Sequence, residues 1–76
     1  METREIGTYV VDVRSGRIGE VMARVGGRVQ LRPVGGGREW DCPPEELREA
    51  APDEVLRERV RRLNRDARSG PAAGLP

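Results

Sequence analysis

The chain has 76 residues, of which 36% are hydrophobic and 36% charged, with one Trp, one Tyr and no Phe. A chain of this length forms at most one small domain, buries only about 60% of its unfolded surface and has little room for a deep catalytic cleft. The lack of His and the single Cys exclude most metal sites and the common catalytic dyads and triads, and a net charge of +1 excludes a strongly polybasic protein.

All fourteen basic residues are Arg, which fits a GC-rich bacterial coding bias and also supplies side chains suited to bidentate contacts with carboxylates and phosphates. Both interpretations stay open. Cys42 has no second cysteine with which to form an intramolecular disulfide, and the amino-terminal residues lack the pattern of a signal peptide. The apolar runs are far shorter than the roughly 20 residues that a membrane helix needs. We therefore expect a soluble, cytoplasmic protein that does not associate with membranes.

The first half of the chain has the pattern of short strands separated by turns. Alternation predicts a first strand from Thr8 to Val13, in which Asp12 shares a face with Val10. A tight turn at residues 14–17 leads into a second strand from Ile18 to Val25. Gly19 within that strand indicates either a bulge or a close approach by another strand.

The following segment continues the same pattern. Gly26-Gly27 predicts a turn, and Arg28 to Arg32 alternates as a half-buried strand does, with two apolar side chains on one face. A loop at residues 35–37 precedes a fourth strand from Arg38 to Asp41 with Trp40 inside it. Four such short strands bury too little area as a flat sheet, so the pattern favours closure into a small, strongly bent barrel.

The second half has the pattern of helices. Prolines followed by acids predict one helical or 3₁₀ turn over residues 44–49, whose Leu47 we expect to plug one open end of the barrel. Pro52 and the acids after it predict a helix over residues 52–68. Its narrow apolar stripe, with Val55 beside it, consists of Leu56, Val60, Leu63 and Ala67.

Charge is separated along this half of the chain. Residues 43–58 hold six acids and two Arg, whereas residues 59–68 hold five Arg and one acid. The helix dipole favours this order, with acids first and arginines last, so the pattern needs no partner to explain it. The predicted organisation is a barrel over residues 1–50, a helix over residues 51–69 and a disordered tail over residues 70–76.

Several features could bind a ligand. The loop at residues 35–37 resembles a phosphate-binding loop only weakly, because no helix follows it. Trp40 is either a core anchor or an aromatic platform for a ligand. The polar face of the third strand could form a basic surface with Arg38, to which Arg14 and Arg17 of the first turn could add, although nearby acids would neutralise part of it. These acids are Asp12, Glu20, Glu39 and Asp41.

The segment from Tyr9 to Val21 resembles the start of PRC-barrel domains and other small SH3-like barrels. It has an Asp in the first strand, Gly16 in the turn and Gly19 near the start of the next strand. Residues 7–50 as a whole also resemble short uncharacterised proteins of actinobacteria. The resemblance implies a fold and a bacterial source. The charged terminal helix departs from longer barrel proteins, so their ribosome-related and membrane-associated roles are not carried over.

The predicted fold is therefore mainly β with a C-terminal α-helix, in the form of a small SH3-like barrel of four or five short antiparallel strands, a 3₁₀ turn and one terminal helix. We expect a non-enzymatic adaptor or regulatory module that binds another protein, with no catalytic, cofactor or metal site. The alternative is binding of a nucleic-acid backbone through surface arginines, and the helix stripe could pack on the barrel, on a second copy or on a partner. The predicted partner-binding residues are Arg28, Arg32, Arg38, Trp40, Leu56, Val60 and Leu63.

Overall fold

The computed structural model describes residues 5–69, with side chains up to residue 65. The predicted tail over residues 70–76 lies outside the described residues. The elements in chain order are β1 (Tyr9–Asp12), β2 (Arg17–Val25), β3 (Arg28–Pro33), β4 (Trp40–Cys42), a 3₁₀ turn (Pro44–Glu46), β5 (Leu47–Glu49) and α1 (Pro52–Ser69). The prediction of a mainly β chain with a 3₁₀ turn and one terminal helix is confirmed.

The five strands form a single antiparallel sheet in the order β4-β3-β2-β1-β5. Within residues 5–69, no ladder joins β4 to β5, so the sheet stays open and the predicted barrel closure is not confirmed. The two edge strands are nevertheless connected by only a short segment that contains the 3₁₀ turn. The sheet therefore brings side chains of β4 and β5 to the same core.

The hairpin between β2 and β3 has the turn that its sequence predicts. Val25 pairs with Arg28, which leaves Gly26 and Gly27 as a two-residue loop, and their φ angles are +58° and +77°. A type I′ turn requires positive φ at both of its central residues, and glycine adopts such angles without a steric cost.

Two details of the strands differ from the prediction. The bulge in β2 lies between Val21 and Ala23, where the register with β3 shifts, and not at Gly19. Gly19 instead marks a close approach, because it lies against Trp40 and the β3 backbone. The fourth strand covers Trp40–Cys42 and not Arg38–Asp41.

The segment from Leu47 to Glu49 forms strand β5, whereas a helical turn was predicted there. It pairs with β1, and Leu47 lies opposite Asp12. These residues form a strand because the free edge of β1 offers hydrogen-bonding partners for their backbone groups. This contact joins residues far apart in the chain, so the sequence of three residues could not predict it. Leu47 is half-buried and packs against the core, although the sheet has no closed end for it to plug.

The core is divided between the two faces of β1. On one face, a main cluster of buried side chains packs together with the half-buried Trp40 and Leu47. This main core consists of Val10, Val21, Val29, Leu31 and Cys42. On the other face, Val11 packs with Ala50 and Val55, and half-buried Tyr9 and Ile18 complete this second cluster. The alternation predicted for the first strand is thus correct, but both of its faces are covered.

Helix α1 is fixed to the sheet at its first turn. The carboxylate of Glu54 accepts the backbone N–H of Ala51 at 2.9 Å, which satisfies one donor at the start of the helix. Arg48 of β5 donates to both oxygens of Glu54, at 2.9 and 2.7 Å, and this guanidinium lowers the pKa of Glu54 to about 2. The charge pair therefore joins the last strand to the helix and sets the direction in which α1 leaves the sheet.

The face of α1 that packs on the sheet is not the apolar stripe. Val55 is 9% exposed, and Arg59 and Arg62 donate to the Tyr9 hydroxyl and the Gly36 carbonyl, each at 3.2 Å. The stripe residues Leu56, Val60 and Leu63 are 59%, 47% and 64% exposed, so the stripe does not pack on its own sheet, and of the three alternatives a second copy or another partner is left. Consecutive helical residues point about 100° apart, so burial of Val55 turns the stripe away from the sheet.

No helix within residues 5–69 has the length and apolar character to span a bilayer.

Candidate functional site

The arginines predicted to form a basic surface are exposed but do not form a strong positive patch. Arg28, Arg32 and Arg38 are all exposed. Arg32 lies opposite Glu20 in the β2–β3 register, and its guanidinium is 3.5 Å from the carboxylate of Glu39. These acids neutralise the middle of this surface, as the sequence predicts.

A different set of arginines converges in the structure. A cleft of about 360 Å³ lies between the start of β2 and one side of α1. It is lined by Ser15, Gly16, Arg17, Ile18, Pro33, Glu58, Arg61, Arg62 and Arg65. We call this region the arginine cleft. The cleft was not predicted, because Arg17 lies 44 residues before Arg61 in the chain and only the fold brings them together. The i, i+4 spacing of Arg61 and Arg65 does place those two on one side of the helix.

Trp40 is a half-buried residue at the border of the main core. Its indole Nε1 donates to Asp12 at 2.9 Å, and the Arg17 guanidinium lies 3.8 Å from the ring centroid. The ring packs on one side and carries a cation on another, in the manner of a cation–π contact. These contacts support a structural role for Trp40 and leave less of the ring available for stacking on a ligand.

Asp12 is buried at 2% exposure and is not one of the acids that neutralise the outer surface. Its carboxylate accepts hydrogen bonds from the backbone N–H of Arg14, from the Arg14 guanidinium and from Trp40, at 2.9 to 3.0 Å. The Arg14 guanidinium is the main cause that lowers the pKa of Asp12 well below its usual range. The same Arg14 side chain donates to the Asp41 carbonyl at 2.9 Å. This cluster joins β1 to β4 and is fully hydrogen-bonded, so it is a structural element.

Cys42 is fully buried in the main core. Its thiol donates to the Pro43 carbonyl at 3.4 Å, and burial is the main cause that raises its pKa to about 11. A thiol with such a pKa is almost entirely protonated at neutral pH and is a poor nucleophile. Cys42 therefore behaves as a small apolar core residue.

Alkylation of Cys42 is expected to be slow in the folded protein. At pH 8, iodoacetamide should react at least about 100-fold more slowly with the native chain than with the chain in guanidinium chloride, because both burial and the raised pKa remove thiolate. Mass spectrometry follows the reaction directly, since the chain has one cysteine. Equal rates in the two states would show that the thiol is accessible in the folded protein.

The exposed stripe on α1 is the most apolar uncovered surface of the helix. Leu56, Val60 and Leu63 follow one another at spacings of four and three residues, which is the spacing of a coiled-coil seam. Arg57 and Arg59 flank this seam. We call the surface formed by the three apolar residues the α1 seam. These three predicted residues lie together on one exposed face of the helix.

Charge varies in sign along the same helix. Residues 53–58 hold three acids and one Arg, whereas residues 59–65 hold four Arg and no acid.

Within residues 5–69, no three His, Cys, Asp or Glu side chains cluster in a way that could hold a metal ion. Comparisons with protein-family models, with curated proteins and with solved structures found no match.

Proposed function

We propose that this protein is a non-enzymatic interaction module of the cytoplasm that associates through the α1 seam, and that the molecule bound there is a second copy of the chain. The observation that carries the proposal is the exposure of Leu56, Val60 and Leu63 on a helix that docks on its sheet by another face. A continuous apolar stripe is unfavourable in water and is typical of a surface that pairs with another helix.

The spacing of the seam supports a helix as the occupant. Leu56 and Leu63 take the d positions and Val60 takes an a position of a heptad, the types of residue that such positions carry in paired helices. Each apolar side chain could then insert between four residues of the facing helix. The seam is short, so the association is expected to be weak, with a dissociation constant on the order of 10–100 μM.

The charges of α1 favour an antiparallel pair of identical helices. The net charge of α1 changes from −2 over residues 53–58 to +4 over residues 59–65, so an antiparallel pair brings halves of opposite net charge alongside each other. A parallel pair would bring halves of like net charge alongside each other. A two-fold axis near the middle of the seam relates the two copies in the antiparallel pair.

The proposal predicts a dimer that depends on the seam. Sedimentation equilibrium of the full chain at low salt should show a monomer–dimer equilibrium, and Val60→Glu should weaken dimerisation at least about tenfold, because it places two like charges near the two-fold axis. Glutamate is a good helix former, so the variant should keep its fold, and circular dichroism checks this.

Val13→Glu is the matched control. Val13 is 50% exposed, close to the 47% of Val60, but it lies outside α1, so Val13→Glu should leave the dimer unchanged.

Leu56→Cys tests the orientation of the two helices. In a parallel pair the two introduced cysteines would lie side by side and form a disulfide-linked dimer, whereas in an antiparallel pair they would not. A chain that stays monomeric at millimolar concentration would overturn the second copy as occupant. If the seam then binds another protein and Val60→Glu abolishes that binding, the occupant is a heterologous helix.

Binding of a nucleic-acid backbone through Arg28, Arg32 and Arg38 is less favoured, because Glu20 and Glu39 offset Arg32. Relationship to SH3-like and PRC-barrel domains, an actinobacterial origin and the absence of enzymatic activity remain predictions from the sequence.

A further inference from the structure

The arginine cleft concentrates positive charge between the sheet and α1. Arg17 lines it from the sheet side, and Arg61, Arg62 and Arg65 line it from the helix side. Glu58 is the single acid among the lining residues, so the cleft carries a net charge of +3. The volume of about 360 Å³ is in the range of small-ligand sites and is ample for a phosphate group with part of the molecule that bears it.

The ion pairs of the cleft leave part of this charge uncompensated. Glu58 pairs with Arg61 and, at 3.8 Å, with Arg62. Among the side chains described, those of residues 5–65, no carboxylate forms an ion pair with Arg17 or Arg65. Arg61 and Arg65 also lie one turn apart on the helix, where like charges repel each other. An anion in the cleft would relieve this repulsion.

Two of the arginines are already held in place. The guanidinium of Arg17 stacks on Trp40, with 3.8 Å between its Cζ and the ring centroid. The guanidinium of Arg62 donates to the Gly36 carbonyl at 3.2 Å, and its side chain passes along the glycine loop, where little side-chain volume blocks it. Side chains that are ordered before binding lose less conformational entropy when a ligand arrives. Two of the four arginines of the cleft are thus ordered before a ligand arrives.

We infer that the arginine cleft binds a phosphate group. Guanidinium groups donate pairs of parallel hydrogen bonds that match the geometry of phosphate oxygens, and several of them surround one anion here. The phosphate could belong to a small phosphate ester or to the backbone of a nucleic acid. The cleft contains none of the predicted partner-binding residues, although the sequence had suggested Arg17 and the arginine-rich second half of the helix as contacts for an anionic partner, and its residues are not those of the α1 seam.

The test is a titration of the full chain at low salt with three probes, namely inorganic phosphate, adenosine monophosphate and a single-stranded oligonucleotide. The fluorescence of Trp40 is a direct readout, because it is the only Trp and Arg17 stacks on it. Isothermal titration calorimetry gives the affinity independently. Saturable binding of a small probe identifies a site for small phosphate compounds, and binding of the oligonucleotide alone identifies a backbone site.

Charge variants locate the binding. Arg65→Gln should weaken binding of the probe about fivefold to tenfold, since it removes a charged donor. Glu58→Gln should strengthen binding, because it removes the competing carboxylate and releases Arg61 and Arg62. Arg28→Gln removes the same charge from an exposed position outside the cleft and should change the affinity less than twofold. Thermal unfolding of each variant checks that it is folded.

Two results would overturn the inference. The first is no saturable response to any of the three probes at low salt. The second is an equal loss of affinity in Arg28→Gln and Arg65→Gln, together with no gain in Glu58→Gln, because binding would then follow net charge and not the cleft.

Discussion

Replacing Asp12 by Ala is expected to lower the free energy of unfolding by about 3 kcal/mol. The variant removes the acceptor of the Trp40 indole N–H and of the Arg14 backbone and guanidinium groups. It leaves these donors at the border of the core, where water replaces the carboxylate only in part. A domain of this length has roughly 5–10 kcal/mol of stability in total, so the loss is a large fraction of it. Urea unfolding followed by Trp40 fluorescence measures the change.

Asp12→Asn separates hydrogen bonding from charge. The amide oxygen can still accept the Trp40 N–H, but the charge-assisted contacts with Arg14 are weakened, so we expect a loss of about half that of the Ala variant. Arg14 is exposed over 43% of its side chain, which limits what the ion pair alone contributes. If Asp12→Ala unfolds at the same urea concentration as the wild type, the carboxylate does not join β1 to β4 in the way its contacts indicate.

The same group predicts how stability depends on pH. The pKa of Asp12 is lowered in the folded chain, whereas an unfolded Asp has a pKa of about 3.9. The stabilising charged form is therefore fully present above that value, and its contribution is lost as the pH falls below about 4. Glu54, with a pKa of about 2, loses its contribution in the same direction. The difference between the wild type and Asp12→Asn should shrink between pH 4 and pH 2, and a constant difference would contradict this assignment.

Gly19→Ala is expected to destabilise the protein by about 1–3 kcal/mol. An ideal Cβ at this position lies 2.8 Å from Cη2 of Trp40, 2.9 Å from the Arg32 carbonyl oxygen and 3.2 Å from the Leu31 Cβ. The carbonyl belongs to the β2–β3 ladder and cannot move without breaking the sheet. By backbone preference alone, replacing Gly with Ala in a strand stabilises the protein by about 0.5–1 kcal/mol. A measured destabilisation would therefore show that the steric contacts of the added Cβ outweigh the backbone preference.

A double-mutant cycle with Trp40→Leu identifies the contact responsible. Removing the indole relieves the shortest contact, so Gly19→Ala should cost less in the Trp40→Leu background than in the wild type. The Arg32 carbonyl remains in both backgrounds, so part of the cost should persist. Because Trp40 is lost in the variant, far-ultraviolet circular dichroism replaces fluorescence as the measurement. Stabilisation by Gly19→Ala in the wild-type background would show that β2 and β4 pack more loosely than described.

The elements with a strong local pattern were predicted well. The alternation of β3 places Val29 and Leu31 in the core, and Gly26-Gly27 supplies the positive φ angles of the β2–β3 turn. Helix α1 begins at Pro52, as the proline and the acids after it indicate. In each case the deciding interaction lies within a few residues of the chain, so the pattern carries the information.

The elements that depend on distant contacts were not predicted. Strand β5 exists because β1 offers a free edge, and three residues alone do not specify a strand. The burial of Asp12 depends on Trp40, which is 28 residues away. The apolar stripe of α1 was predicted from its spacing, but whether it packs on the sheet, on a second copy or on a partner was left open.

The sequence by itself determined the order of strands and helix, the turn chemistry and the apolar stripe, because periodicity and backbone preference are local properties. Only the tertiary structure decided which face of α1 packs on the sheet. Once Val55 enters the second cluster with Val11 and Ala50, the helix can bury no other face, and the seam is left in solvent. The same rotation brings the arginines of the helix opposite Arg17 and forms the arginine cleft. Both candidate binding surfaces therefore follow from how one helix docks, which no local pattern encodes.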